Sequence, residues 1–322
     1  MLAGAPARID GLELAPDIQM LRRLVHLSGD RAVIEGLSPL EARAKYELGN
    51  EIVAPPKLPM GRVEELELPG PAGALRARLY VPPGATSPGP LIVYFHGGGW
   101  VIGSLDGYDA TARFLAANAA ATVLSVDYRL APEHPFPAAF DDALAGFRWA
   151  AAEAAKLGAD PARIAVAGDS AGGNLAAAVS LYSRGDERRP AMQALLYPVT
   201  DVVGGHRSRD LFAAGFFLTK GDMDVFERHY LRAEPDRADP RVSVLRAEDL
   251  AGLPPAYVAT CGFDPLRDEG EAYAARMRAA GNRVALRRHP GLTHGFANAS
   301  AVCRSARRAM DEVGGAIRMG LA

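Results

Sequence analysis

The stretch Gly168-Asp169-Ser170-Ala171-Gly172 has the clearest structural meaning in this 322-residue chain. It follows a short apolar run at residues 163–167 and leads into an alanine-rich segment at residues 174–182. That order predicts a strand, a sharp turn and a helix. Glycines on both sides of the serine tolerate a strained turn and let the strand and the helix approach closely. The turn therefore predicts a serine hydroxyl held at the carboxyl edge of a sheet, as in a nucleophile elbow.

Composition and charge exclude several classes of protein. The chain is 49% hydrophobic with a formal net charge of −2, so no strong field would attract nucleic acid or acidic membranes. We see no secretory leader before Pro16 and no apolar run long enough to span a membrane, and we therefore expect a cytoplasmic protein. The two cysteines, Cys261 and Cys303, fit neither a disulfide framework nor a zinc site, and we expect buried thiols.

Strands and helices alternate over most of the chain, which predicts an α/β fold. The sheet should be mostly parallel, with about eight strands and with helices on both faces. The predicted strands are residues 63–68, 75–81, 91–95, 122–126, 163–167, 193–197, 256–261 and 284–288. The predicted helices between and after them are residues 108–119, 138–157, 174–182, 268–280 and 300–318.

Two regions depart from this alternation and predict a helical cap. Residues 1–55 contain helical patterns at 17–27 and after Ser38-Pro39, which is typical of a helix start. Residues 54–59 are rich in proline and predict a linker. Residues 204–249 lie in a long gap between strands and contain a helical pattern at 220–231, so a helical insertion is expected there. The core then comprises residues 56–203 and 250–322.

A serine hydroxyl becomes an effective nucleophile when a base takes its proton. The base is typically a histidine that a carboxylate orients, and it follows the last strand of a fold with a nucleophile elbow. His294 lies in the loop directly after the last predicted strand, between Gly291 and Gly295. His289 is the nearest alternative, at the end of that strand. His294 is therefore the predicted base.

The carboxylate should follow a late strand, and Asp264 does so after the strand predicted at residues 256–261. Asp268 and Glu269 compete for the same role. Asp268 has a local function available, because Glu271 three residues later completes the pattern of a capping box. We therefore predict that Asp268 caps the next helix and that Asp264 orients the histidine.

Attack on a carbonyl carbon also needs hydrogen-bond donors for the oxyanion that develops. The loop His96-Gly97-Gly98-Gly99-Trp100 follows a predicted strand, and its glycines let backbone N–H groups approach a ligand. A further donor is the N–H after the nucleophile, on Ala171. His96 is expected to brace the loop and not to react. The phosphate-binding glycine patterns are absent from the sequence, so a phosphate site is not favoured.

Five motifs occur in a fixed order along the chain. They are His96-Gly97-Gly98-Gly99, Asp127-Tyr128-Arg129-Leu130-Ala131-Pro132-Glu133, Gly168-Asp169-Ser170-Ala171-Gly172-Gly173-Asn174, Asp264-Pro265-Leu266-Arg267-Asp268 and His294-Gly295-Phe296. Together they resemble the hormone-sensitive lipase family of α/β-hydrolases, in the bacterial esterase branch that has aspartate before the serine. The similarity spans roughly residues 81–296.

The resemblance implies an α/β-hydrolase fold with a helical cap, and it implies roles for individual residues. It implies Ser170 as nucleophile, Asp264 as acid and His294 as base. The oxyanion donors that it implies are the N–H groups of Gly98, Gly99 and Ala171. Arg129 and Glu133 are expected to form an ion pair that braces their loop.

The expected activity is hydrolysis of small carboxylic esters through an acyl-enzyme, with short to medium acyl chains and with neither metal nor cofactor. An amidase or arylformamidase would use the same three residues and stays open as an alternative. A ligand-binding relative without activity is disfavoured because His294 is present.

Candidate residues of the acyl pocket are Trp100, Phe216, Phe217 and Leu218, although the cap residues among them could equally pack in the cap's own core. A homodimer through residues 284–288 is possible, but Arg287 and Arg288 could equally protect an exposed edge.

Overall fold

A computed structural model describes residues 5–29, 33–53 and 57–322. The linker predicted at residues 54–59 lies partly outside the described residues. The strands in chain order are β1 (Arg8–Ile9), β2 (Leu12–Glu13), β3 (Arg62–Gly70), β4 (Gly73–Val81), β5 (Gly89–Phe95), β6 (Thr122–Val126), β7 (Ala159–Asp169), β8 (Met192–Leu196), β9 (Ala256–Phe263) and β10 (Val284–Thr293). Strands β1 and β2 form a separate antiparallel hairpin that the sequence analysis did not predict.

The helices in chain order are α1 (Pro16–Leu27), α2 (Pro39–Val53), α3 (Asp109–Ala119), α4 (Ala138–Ala152), α5 (Ala171–Tyr182), α6 (Arg207–Leu211), α7 (Lys220–Tyr230), α8 (Arg267–Ala279) and α9 (Arg304–Gly320). Two 3₁₀ segments follow α7, at Glu234–Ala238 and Val244–Arg246. Helix α4 ends five residues before the predicted boundary at residue 157, because turns at residues 153–158 direct the chain into β7.

Strands β3 to β10 form one sheet in the order β10-β9-β8-β7-β5-β6-β4-β3. Strands β5 to β10 run parallel, and β3 and β4 are joined antiparallel at one end. This confirms the predicted eight-stranded, mostly parallel sheet. The chain passes from β5 out to β6 and then returns to β7 on the other side of β5. The carboxyl ends of β5 and β7 therefore meet at a topological switch point, where open α/β sheets bind their ligands.

Both faces of the sheet are covered by helices, as predicted. On β5, Leu91, Val93 and Phe95 pack into the cluster that contains α4 and α5, whereas Ile92 and Tyr94 pack into the cluster that contains α3 and α9. These five side chains are fully buried, which explains why β5 reads as a continuous apolar run. Among the described helices, none is both long and apolar enough to cross a membrane.

The two regions that were predicted to form a cap contact each other in the structure. The Asp222 carboxylate accepts backbone hydrogen bonds from Val33, Ile34 and Glu35 at 2.7–3.0 Å. Its other oxygen accepts from Thr219 at the start of α7, in a capping box. One buried carboxylate thus joins the N-terminal segment to the long insertion.

Candidate active site

Ser170 stands alone between the end of β7 and the start of α5, and its backbone lies in the left-handed region. Its φ is +55°, which costs a residue with a side chain on the order of 1–3 kcal/mol. Close packing makes the neighbouring glycines necessary. A Cβ on Gly168 would lie 2.2 Å from the carbonyl oxygen of Gly172, and a Cβ on Gly172 would lie 2.0 Å from that of Phe95. The glycines therefore permit the turn that holds the Ser170 hydroxyl at the carboxyl edge of the sheet.

The structure brings Ser170, His294 and Asp264 into one hydrogen-bonded chain. The Ser170 Oγ lies 3.0 Å from the His294 Nε2, and the His294 Nδ1 lies 3.0 Å from the Asp264 Oδ2. Asp264 follows β9 and is fully buried, while His294 follows β10 and its side chain is 11% exposed. The three residues come from the carboxyl ends of three different strands, β7, β9 and β10.

The partners of His294 determine which ring nitrogen carries the proton. A carboxylate can only accept a hydrogen bond, so the Nδ1 that faces Asp264 must donate. In the neutral ring, Nε2 then has a free lone pair directed at the Ser170 hydroxyl. The second oxygen of Asp264 accepts the backbone N–H of Leu266 at 2.8 Å, which fixes the carboxylate. This arrangement can remove a proton from Ser170.

The glycine loop after β5 lies beside Ser170. Gly98 and Gly99 have φ values of +111° and +58°, and both line the same cavity as Ser170. A Cβ on Gly98 would lie 2.2 Å from the carbonyl oxygen of Ile102. No described residue accepts a hydrogen bond from the N–H of Gly98, Gly99 or Ala171. These groups are therefore available to a ligand.

His96 is fully buried and braces the loop. Its ring is stacked between Tyr108 and Tyr128, at centroid distances of 5.2 and 4.4 Å, and its Nδ1 lies 2.7 Å from the carbonyl oxygen of Gly97. Burial lowers the pKa of His96 to about 4, so the ring is neutral near pH 7. The structure confirms the bracing that was expected of it.

Asp268 does not cap α8, and that prediction was wrong. The helix begins at Arg267 with Leu266 as its N-cap, so Asp268 lies within the first turn. Its carboxylate accepts a hydrogen bond from the backbone N–H of Ser208 at 2.8 Å. Glu271 pairs with Arg288 of β10 and completes no capping box. The helix starts earlier because the turn after β9 is already closed by the Asp264 carboxylate.

His289, the alternative base, lies within β10 and does not line the cavity. Its ring is nearly buried and packs edge-on against Phe296 at 5.4 Å. Burial lowers the pKa of His289, which keeps this packed ring neutral.

Arg129 and Glu133 do not pair with each other, contrary to expectation. Arg129 binds both carboxylate oxygens of the buried Asp142 in α4, at 2.7 and 2.8 Å. Glu133 instead pairs with Arg43 of α2, whose hydrogen bonds lower the pKa of Glu133 to about 2. The motif therefore connects its loop to two different helices. Arg43 also donates to the carbonyl oxygens of residues 101 and 131, so it holds α2 against the glycine loop.

A cavity of about 660 Å³ opens over Ser170. Of the four predicted pocket residues, Trp100, Phe217 and Leu218 line it, whereas Phe216 does not. Phe216 packs against Phe212 and Phe263 in the interior, with ring centroids 5.5 and 5.3 Å away. Phe217 has a φ of +70°, and in this bend the two phenylalanines face opposite sides.

Sequence reasoning missed the contribution of α7 to the cavity. Met223, Phe226 and Glu227 line it from one face of that helix. Their spacing of three and four residues is the signal that could have identified this face. The Phe226 ring also lies against the glycine loop, because a Cβ on Gly99 would come within 2.3 Å of it.

Comparisons with known proteins place this geometry in a family. A model of a family with the α/β hydrolase fold matches residues 92–298. The carboxylic ester hydrolase LipN of Mycobacterium tuberculosis is 47% identical over 92% of this chain and 80% of its own length. Ethyl acetate hydrolase of Pseudomonas putida is 35% identical over 92% of this chain and 95% of its own length.

A solved structure agrees with these relatives. The ester hydrolase EH1AB1 from the metagenome of Lake Arreo, solved with a derivative of bipyridine phosphonate, is 40% identical and superposes with a TM-score of 0.91. The alignment covers 95% of this chain and 98% of that one. With the sheet order, the turn at Ser170 and these similarities in hand, the chain belongs to the family of proteins with the α/β hydrolase fold.

Proposed function

We propose that this protein is a carboxylic ester hydrolase that forms an acyl-enzyme on Ser170. The observation that carries the proposal is the chain Asp264–His294–Ser170, with 3.0 Å at each contact with the imidazole, on the wall of a cavity. Relatives that are named as ester hydrolases support the reaction class. The five sequence motifs support placement in the hormone-sensitive lipase branch with aspartate before the serine.

In the first half of the reaction, the Ser170 Oγ attacks the ester carbonyl carbon and its proton passes to the His294 Nε2. The Asp264 carboxylate stabilises the resulting His294 imidazolium by accepting a hydrogen bond from the His294 Nδ1–H. The carbonyl oxygen becomes an oxyanion that accepts hydrogen bonds from the N–H groups of Gly98, Gly99 and Ala171. Loss of a single such donor costs an acyl-transfer enzyme about 10²–10³ in kcat, so the preformed loop contributes a large part of the catalysis.

Collapse of the tetrahedral intermediate completes the half-reaction. The bond between carbon and the leaving oxygen breaks, and His294 gives its proton to that oxygen, so the alcohol departs and the acyl group stays on Ser170. A water molecule then attacks the acyl-enzyme while His294 takes one of its protons. The acid is released and Ser170 regains its proton. These residues complete the cycle without a metal ion or a cofactor.

The size and the lining of the cavity support the proposal that the substrates carry acyl chains of short to medium length. Its volume of about 660 Å³ falls within the usual range of small-molecule sites. Much of the wall is apolar, with contributions from Trp100, Phe217, Leu218, Met223 and Phe226. Side chains of α1 and α2 line it too, among them Val25 and Tyr46. These contacts support the proposed division of the chain into a core and a cap, with residues 1–55 and 204–249 forming the cap. A cap in this position would exclude water from the reacting atoms.

Turnover of p-nitrophenyl esters, from acetyl to decanoyl, in a buffer with EDTA tests the function. We expect hydrolysis of the shorter esters and labelling of one serine, Ser170, by a reactive organophosphate. Faster cleavage of the matched anilides would favour the amidase. Absence of ester turnover, or turnover restored only by a divalent ion, would contradict the proposed chemistry.

A Phe217→Ala variant tests the acyl pocket. Because Phe217 lines the cavity, its truncation should shift the preferred acyl chain to greater length, and kcat/KM for the longest active esters should rise about 10-fold. Phe216→Ala is the matched control, since it removes the same atoms behind the wall. It should lower the free energy of unfolding by about 3–5 kcal/mol without moving the chain-length profile. A profile that moves with Phe216 and not with Phe217 would contradict the assignment.

The homodimer through the last strand stays a prediction. Strand β10 is the last strand of the sheet and pairs with β9 on one side. Arg287 and Arg288 on it are paired with Glu312 and Glu271, which leaves few unpaired charges on this edge. Light scattering should give the mass of a dimer for the wild-type protein. A Leu286→Pro substitution in β10 should give the mass of a monomer. A wild-type monomer at micromolar concentration would refute it.

A further inference from the structure

Asp169, the residue directly before the nucleophile, takes no part in the mechanism above, yet its carboxylate occupies a built site. The side chain is buried, and it accepts four hydrogen bonds. The Oδ1 atom accepts from the Tyr94 hydroxyl at 2.6 Å and from the Gly97 N–H at 2.9 Å. The Oδ2 atom accepts from the hydroxyls of Tyr108 and Tyr197, each at 3.4 Å.

A buried carboxylate without a cation is costly, because desolvation opposes its charge. Among the described residues, no lysine or arginine forms an ion pair with Asp169. Burial raises the pKa of Asp169, and the hydrogen bond from Tyr94, the charge of His294 and the Gly97 N–H oppose that rise. The donors offset the cost only while they stay in place, so each one constrains the segment that carries it.

The first constraint acts on the oxyanion loop. Gly97 directly precedes the two glycines with free N–H groups, and its own N–H is bound to Asp169. A Cβ on Gly97 would lie 2.5 Å from the Asp169 Oδ2 and 2.9 Å from the Tyr108 hydroxyl. Glycine is required here so that the loop backbone can reach the carboxylate. The oxyanion donors are thus anchored to the residue that precedes the nucleophile.

The second constraint acts on the histidine loop. The ring of Tyr197 lies edge-on to the His294 ring, with centroids 4.8 Å apart and an angle of 61°. Its hydroxyl accepts the backbone N–H of Ala297 at 3.3 Å and donates to Asp169. Tyr197 therefore links the carboxylate to both the ring and the backbone of the loop that carries the base.

The third constraint extends to α2. The Tyr46 and Tyr108 hydroxyls are 2.7 Å apart, and the Asn298 side-chain amide donates to Tyr46 at 2.7 Å. The amide N–H at one end only donates and the carboxylate at the other end only accepts. Each tyrosine hydroxyl must therefore donate toward Asp169, and the chain runs from Asn298 through Tyr46 and Tyr108 to the carboxylate.

We infer that Asp169 is a positioning residue for ester hydrolysis, because it holds the oxyanion loop and the histidine loop in place relative to Ser170. Through the Tyr46 hydroxyl, the position of both loops also depends on helix α2 being packed against the site. The inference rests on the function proposed above. Asp169 touches none of the reacting atoms in the mechanism. It acts through Gly97 on the oxyanion donors and through Tyr197 on the base, and misplacement by about 1 Å at such a site can cost 10²-fold in rate.

Asp169→Asn and Tyr46→Phe test this inference. The asparagine keeps the size of the side chain, but one of its two polar atoms can only donate, so one pair of bonds is lost or reversed. We expect kcat to fall about 10²-fold for Asp169→Asn and about 10-fold for Tyr46→Phe, with KM nearly unchanged. Affinity for a trifluoromethyl ketone, which forms an oxyanion on Ser170, should fall in proportion to kcat/KM.

Tyr273→Phe is the matched control, because Tyr273 is fully buried and its hydroxyl has no hydrogen-bond partner among the described residues. It should leave kcat and the ketone affinity unchanged. If the wild-type protein hydrolyses esters and the Asp169→Asn variant keeps the same kcat and ketone affinity, the inference is overturned while the proposed function stands. Wild-type protein without ester turnover would instead overturn the proposed function and the inference with it. If Asp169→Asn does not fold, Tyr46→Phe and Tyr94→Phe decide, and unchanged kcat in both would refute the role.

Discussion

A Ser170→Ala variant is expected to keep its fold and to lose at least about 10⁴-fold in kcat for ester hydrolysis, because the members of a triad act as a unit. In the proposed mechanism the Ser170 oxygen forms the bond to the carbonyl carbon, and no neighbouring group can replace it. Alanine and serine meet the same steric cost at a φ of +55°, and among the described residues the one side-chain bond lost is the bond to His294. Stability should therefore change little.

The measurement is kcat for p-nitrophenyl butyrate together with the melting temperature of both proteins. Ser180→Ala, in the helix α5 that follows Ser170, is a matched control, because the Ser180 hydroxyl is also buried but among the described residues bonds only to the carbonyl oxygen of residue 176. It should retain wild-type turnover. A folded Ser170→Ala protein that still hydrolyses esters at the wild-type rate would falsify the nucleophile assignment.

The parts of the fold that the sequence predicted are those encoded by local patterns. Continuous apolar runs predicted the central strands such as β5, because both faces of those strands are buried. The glycines around Ser170 predicted the turn, because a Cβ at those positions would collide with backbone atoms. In both cases one short segment carries the pattern that predicts its conformation.

The errors concern side chains whose partners lie far away in sequence. Arg129 and Glu133 are four residues apart and of opposite charge, yet the fold offers each a better partner, in Asp142 and Arg43. Neither partner can be identified from spacing, since the choice depends on how α2 and α4 pack against the loop. Phe216 and Phe217 were indistinguishable for a similar reason, because one bend in the insertion separates the cavity from the interior.

The Asp169 site shows what pattern reasoning cannot reach. The tyrosines around this carboxylate come from β5, from α2, from the residue before α3 and from the residue after β8. Each is an ordinary tyrosine in its own segment, and only the tertiary fold brings them together. In the sequence, Asp169 served only to indicate a branch of the family. In the structure, its hydrogen bonds to Gly97 and Tyr197 connect the oxyanion loop to the histidine loop.

The second large effect is expected for Asp264→Asn, which should lower kcat about 10⁴-fold. The Asp264 Oδ1 accepts the backbone N–H of Leu266, so the carbonyl oxygen of the asparagine will occupy that position. Its NH₂ group then faces the His294 Nδ1 and must donate to it. The ring proton moves to Nε2, which points at Ser170 and can no longer accept the hydroxyl proton.

Asp268→Asn separates this effect from a general loss of negative charge near α8, since Asp268 lies four residues away in the same motif. Its carboxylate accepts from the Ser208 N–H and from the Arg267 side chain, and its side chain is 27% exposed. An asparagine retains one of these bonds, and the loss of a partly exposed ion pair costs about 0–1 kcal/mol. Turnover of p-nitrophenyl butyrate should therefore stay within a few-fold of wild type in Asp268→Asn and collapse in Asp264→Asn, with both proteins folded. The reverse order of damage would show that the carboxylate of the triad is misassigned.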